Sequence, residues 1–207
     1  MAVVISAAVE GPADEAVAVR LITSVGAEPG FVYGKQGKPR LRERVNGYNQ
    51  AARHAPWLVL VDLDHDANCA QLLRTAWLPH PASQLCFRVA VRAIESWLLA
   101  DIETIADFLG VPRSKIPAQP ETIDHPKTTL VNLARTSRRS KIRWDMVPRE
   151  GSGRAIGPAY TSRLVEYVDH HWRPAEAAKR ADSLNRAIRC LRRLARKPHQ
   201  SPPTATQ

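Results

Sequence analysis

Short apolar, β-branched runs alternate along the first half of the chain with longer stretches whose apolar positions recur at helical spacing. The first run, Ala2–Val9, stops at Glu10-Gly11-Pro12. Continuous apolar runs of this length suit strands buried on both faces, and a Gly-Pro pair ends them. From Asp14 to Val25, the residues Val17, Leu21 and Ile22 share one helical face, and Gly26 follows as a terminator. Phe31–Tyr33 predicts a second strand, Gly34–Pro39 a flexible basic loop, and Leu41–His54 an arginine-rich helix. Trp57–Leu63 (WLVLVDL) is the clearest strand, and it runs directly into Asp62, Asp64 and Asp66. Ala67–Trp77 predicts a helix and Leu85–Val91 a fourth strand. Ala93–Leu109 predicts a further helix, with Asp101 as the candidate break. This β-α-β-α-β-α-β-α order predicts an α/β fold, a parallel sheet flanked by crossover helices.

Beyond Val111 the pattern changes. Pro112, Pro117, Pro120 and Pro126 punctuate a loop region, and helical spacing returns at Thr128–Arg138, Pro158–His171 and Pro174–Arg196. In the last segment Ala181, Leu184, Ile188, Leu191 and Leu194 make one apolar face, which predicts packing on the core. The expected organisation is therefore a core over residues 1–112, a helical C-terminal extension over 113–197 packed on it, and a disordered tail over 198–207.

The 207 residues are 44% apolar, ordinary for a folded domain. A formal charge of +10 and a sequence pI near 10.1 favour a polyanionic partner, nucleic acid being the commonest, over a merely solvated basic surface. Arg40, Arg42, Arg138, Arg139 and Lys141 are the candidates for phosphate contacts. Cys69, Cys86 and Cys190 are odd in number and widely spaced, which argues against a disulfide scaffold and a thiolate zinc site. The N-terminus lacks a basic region before its apolar run, and no stretch is long enough to cross a bilayer. A cytoplasmic protein without membrane association is expected.

The candidate chemistry lies in the acids at strand ends. Ligands of an open parallel sheet collect at the carboxyl ends of its strands, where Glu10 and the Asp62/Asp64/Asp66 group fall. Strand alternation would let Asp62 and Asp64 converge while Leu63 points into the core. Such carboxylates repel one another unless a cation neutralises them, and hard oxygen donors suit Mg²⁺ or Mn²⁺. Asp66 is also the natural N-cap of the helix predicted from Ala67. Asp101 and Glu95 could pair with Arg88 or Arg92, although Glu95 stands between apolar neighbours in IESW.

Val9–Glu15 (VEGPADE) resembles the first motif of the Toprim fold, a strand ending in Glu-Gly before a helix. Val59–Asp66 (VLVDLDHD) resembles the second, an apolar strand running into Asp-x-Asp. Phe87–Asp101 and His125–Leu130 (HPKTTL) are similar to a bacterial Toprim-like family related to the nuclease half of overcoming-lysogenisation-defect nucleases. The resemblance covers roughly residues 1–130. It implies that Glu10 is a metal-binding or general acid/base group and that Asp62 and Asp64 are metal ligands. It further implies a second-metal role for Asp14, an additional acidic role for Glu95, and phosphate positioning for Lys127. The tyrosines stand in no topoisomerase context, and no zinc-binding primase module is present in the sequence.

The leading expectation is a Toprim-like, divalent-metal-dependent nuclease acting on DNA or RNA. The resemblance adds phage or mobile-element defence, a separate ATPase partner and a homodimer. Two alternatives remain open: a non-catalytic module binding nucleic acid or an ATPase with a structural ion, and a nucleotide phosphotransfer enzyme.

Overall fold

The structure, a computed structural model, describes residues 2–196. Four strands, β1 (Val4–Val9), β2 (Glu28–Gly34), β3 (Trp57–Asp62) and β4 (Leu85–Ala90), form one parallel sheet in the order β2-β1-β3-β4. The helices between them are α1 (Pro12–Ser24), α2 (Lys38–Ala51) and α3 (Ala70–Trp77). The fold class is thus the α/β architecture that the alternating pattern predicts.

Period-two alternation divides the apolar residues between two faces. Ile5, Ala7, Val9, Leu58, Leu60, Cys86 and Ala90 face one core with α1 and the C-terminal helices. Ala8, Val59, Val61, Leu63, Phe87 and Val89 face a second core with α2 and α3. Both faces are covered, which explains why these strands read as unbroken apolar runs.

The sheet grows from β1 in both directions: α1 leads to β2 on one side, and α2 carries the chain back past β1 to β3 on the other. The carboxyl ends of β1 and β3 therefore flank a topological switch point, where such sheets open a crevice. Gly34 lets the next loop fold against β1. Its φ is +90°, and a Cβ there would stand 2.2 Å from the Val9 carbonyl oxygen. Behind it, Lys35 N donates to Val9 O and Gly37 N to Glu10 O.

After β4 come α4 (Ile94–Leu99) and α5 (Ile102–Leu109), with the break falling at Ala100-Asp101. Asp101 is buried there, and its carboxylate accepts bonds from the Arg173 backbone and guanidinium, in place of the Arg88 or Arg92 pairing expected. The remaining helices are α6 (Pro126–Arg135), α7 (Ser140–Met146), α8 (Tyr160–His170), α9 (Pro174–Ala177) and α10 (Asp182–Ala195). Two corrections to the expected elements arise here. The basic cluster Arg138–Lys141 does not end a helix but leads into α7, because α6 stops at Arg135 and Ser137 Oγ accepts from Arg139 N. The long final helix is divided, with α9 and α10 separated at residues 178–181. The C-terminal helices are packed on the core: Trp172, Tyr167, Leu184, Ile188 and Leu191 are buried in the cluster that also holds α1. The expected tail, 198–207, lies outside the described residues. Among those described, no helix is long and apolar enough to cross a membrane.

Candidate active site

Four carboxylates meet at the switch point, each delivered by a different piece of backbone. Glu10 follows β1, Asp14 lies in the first turn of α1, Asp62 ends β3, and Glu95 lies in the first turn of α4. Glu10 Oε1 accepts the Asp62 backbone N–H at 2.8 Å, which ties the ends of β1 and β3 together. Asp62 Oδ1 accepts the Ile94 N–H at 2.9 Å and so fixes the start of α4. Asp14, Asp62 and Glu95 line a cavity of about 170 Å³, shared with Ile94, Lys127, Ile156 and Tyr160. Glu95 is buried at 3% exposure; the Tyr160 hydroxyl donates to its Oε1 at 3.2 Å, and Lys127 Nζ stands 3.7 Å from that oxygen. One oxygen of each of two carboxylates, Asp14 Oδ1 and Glu95 Oε2, is buried with no protein hydrogen-bond partner. Buried polar atoms are nearly always satisfied, so two orphans in one crevice mark a place for a group the protein does not itself supply.

The crevice holds protons more tightly than free carboxylates do. Burial, then the charges of Glu10 and Glu95, raise Asp14 from 3.8 to about 7. Asp62 is pushed well above the usual range, first by burial and then by Asp14, Glu95 and Glu10. Glu10 is raised mainly by burial, which outweighs the opposing Asp62 N–H bond and Lys38 charge. Desolvation and like-charge repulsion therefore act together, and either protons or a cation would relieve them.

Asp64 takes a different position from the one strand alternation implies. The strand ends at Asp62, and Asp64 adopts a left-handed turn with φ +47°, its N–H bonded to Arg92 O. Its exposed carboxylate pairs with Lys38 Nζ at 2.8 Å rather than turning into the crevice. Asp66 also pairs with Lys38, at 2.7 Å, and does not cap a helix: α3 begins at Ala70, after Cys69. Burial by itself would lower the Lys38 pKa, but the bonds to Asp64 and Asp66 more than offset this and hold it above the ordinary lysine value. His65 lies in the same turn with its ring 5.2 Å from that of His125.

No family model, curated protein or solved structure matches the chain. The reading of the crevice thus rests on its own geometry. In kind, its donors fit a hard divalent cation, since all are carboxylate oxygens and two are buried and unsatisfied. In arrangement they are not a closed ligand set: among the described residues, no three His, Cys, Asp or Glu side chains are grouped to hold a metal as they stand. Asp62 and Glu10 each commit one oxygen to a backbone N–H, which leaves the other free.

The predicted phosphate contacts are distributed unevenly. Arg40, on α2, is paired with Glu43, and Arg42 lies over the Trp77 ring at 5.7 Å. Arg138, Arg139 and Lys141 are all exposed, and Arg139 also donates to the Phe108 carbonyl. Tyr160 is a site residue that sequence reasoning missed. It comes from a helix far along the chain, and nothing in its local sequence distinguishes it from a core tyrosine.

Proposed function

We propose that the crevice hydrolyses phosphodiester bonds of nucleic acid with a bound divalent cation, Mg²⁺ or Mn²⁺. The observation that carries this reading is the convergence of Asp14, Asp62 and Glu95 on one cavity at the sheet's switch point, with Asp14 Oδ1 and Glu95 Oε2 buried and unsatisfied. Those three, with Glu10 adjacent, would hold the cation, which when bound supplies Lewis acidity and a water of lowered pKa. Lys127 is 56% exposed, with its Nζ 3.7 Å from Glu95 Oε1, and would hold a phosphate oxygen there. Tyr160 keeps the Glu95 carboxylate oriented through its hydroxyl. Asp64 joins the site in this proposal only if Lys38 releases it. The Toprim resemblance extends the proposal to defence against phage or other mobile DNA with an ATPase partner.

The test is cleavage of labelled single- and double-stranded DNA and RNA in Mg²⁺ or Mn²⁺, with EDTA and Asp62→Asn as controls. Asparagine is chosen because its carbonyl can still accept the Ile94 N–H. Alanine would leave that donor unsatisfied and cost about 1–3 kcal/mol of stability, which would confound the result. Activity lost in EDTA and reduced at least about a hundredfold in Asp62→Asn is expected, in the range for loss of a preorganised charged group. Cleavage that persists in both controls would sink the proposal. Hydrolysis of nucleotides with polymers left intact would move the reading to phosphotransfer.

A further inference from the structure

An open groove of about 570 Å³ runs along α7, lined by Arg135, Lys141, Arg143, Trp144 and Arg149 among others, with no acidic residue in its walls. Trp144 is 68% exposed, an unusual state for the largest apolar side chain. The Arg149 guanidinium lies over its ring at 5.3 Å. A second cavity, of about 450 Å³, shares the Arg149 wall and continues through Ser152, Arg154 and Ile156, again without an acid. Ile156 in turn lines the carboxylate crevice. Shared walls at Arg149 and Ile156 set the three cavities side by side, a track in which an exposed aromatic face and cations without an ion-pair partner are followed by the acids and Lys127.

The charges along this track are available. Among the described residues, Arg135, Lys141, Arg149 and Arg154 form no ion pair, whereas nearby Arg163 is held by Asp145 and Glu166. A row of free cations next to an exposed aromatic ring suits a polyanion whose bases can stack. Unpaired bases offer their faces to an exposed aromatic ring, whereas in a duplex those faces are already stacked on neighbouring pairs.

We propose that this track binds single-stranded nucleic acid and leads it to the carboxylate crevice. A base stacks on Trp144, and Arg135, Lys141, Arg149 and Arg154 hold the phosphates that follow. The assignment rests on the hydrolase reading for the direction of the strand, but its binding chemistry does not depend on cleavage.

The experiment is fluorescence anisotropy on the full chain in EDTA, where cleavage is off, with labelled oligo-dT, oligo-U and a duplex of equal length. Single strands are expected to bind more tightly than duplex, and tight binding of either dT or U supports the track. Trp144→Ala is expected to weaken single-strand binding about tenfold, and Trp144→Phe to restore most of it. The Arg149→Ala/Arg154→Ala double variant is expected to make the salt dependence of single-strand binding shallower by about 1.4 in log–log slope. Trp144, Arg149 and Arg154 are exposed, and circular dichroism of each variant checks that the fold is kept. Single-strand affinity unchanged in Trp144→Ala and the arginine pair, or duplex preferred over both single strands, would overturn the assignment. A wild-type protein that binds in the expected way yet cuts nothing in Mn²⁺ would remove the hydrolase reading and leave the track in place.

Discussion

A carboxyl group buried beside others of its kind keeps its proton, and Asp14 lies beside Glu10 and Glu95 with its Oδ1 unsatisfied. Its folded-state value of about 7 lies above the ordinary 3.8, so the folded chain binds this proton more tightly than the unfolded chain does. Stability must then fall as pH rises from about 4 to about 7, and the full cost is present above that window. In EDTA, Asp14→Asn removes the penalty. It is expected to stabilise the protein by about 1–3 kcal/mol at pH 8 and by nothing measurable at pH 4, as read by denaturant titration at both values. A variant equally stable or less stable than wild type at pH 8 would show that Asp14 is not forced to ionise against its neighbours. The acidic residues themselves were legible in the sequence, because Glu10 and Asp62 close apolar strands and Asp14 follows within a helical turn. The roles of Tyr160 and Trp144 were not. One is buried against Glu95 and the other is left in solvent, and only the tertiary fold makes that distinction.

At the scale of elements, the turn between β3 and α3 decides which aspartates face the crevice. Strand alternation predicts that Asp62 and Asp64 point together, but alternation ends where the strand ends, and the left-handed residue at Asp64 redirects the chain. Lys38, at the first turn of α2, then clamps Asp64 and Asp66. Both acids are about half exposed, so the clamp contributes less than about 1 kcal/mol to stability, and its consequence lies in position. Lys38→Gln is expected to melt within a few degrees of wild type. By freeing Asp64 as an additional oxygen donor, it should lower several-fold the Mn²⁺ concentration that gives half-maximal cleavage. An unchanged metal requirement would place Asp64 outside the site altogether. The same physics sets what the pattern could reveal about elements generally. β1, β3 and β4 were legible because both their faces are buried, whereas the edge strand β2 is largely exposed and showed only as the short Phe31–Tyr33 run. α7 was not, since its short basic sequence has one strongly exposed side and its start depends on Ser137, which bonds both Arg139 and Leu109 O across the fold.

The molecule as a whole joins what composition along the chain would divide. The expected boundary near residue 112 falls among helices, since the last strand ends at Ala90 and α4 and α5 follow it, and one apolar cluster runs across it. Leu164, Tyr167, Trp172, Leu184, Ile188 and Leu191 are buried on the face of the sheet that also receives Val17 and Leu21 of α1. Each fully buried apolar side chain of this size is worth about 1.5–3 kcal/mol, so six of them contribute on the order of 10 kcal/mol. That equals the whole net stability of an ordinary domain, about 5–15 kcal/mol. Residues 1–112 alone would also lack Lys127 and Tyr160, and with them two walls of the crevice. The fragment is therefore expected to show no cooperative thermal transition and no activity, while residues 1–196 melt in a single step with the near-ultraviolet signal of the buried Trp97 and Trp172 lost together. A fragment that melted cooperatively would mean that the sheet and its first helices suffice for folding. The C-terminal helices would then be needed only to wall the site and carry the basic track, and their contribution would have to be sought in binding rather than in stability.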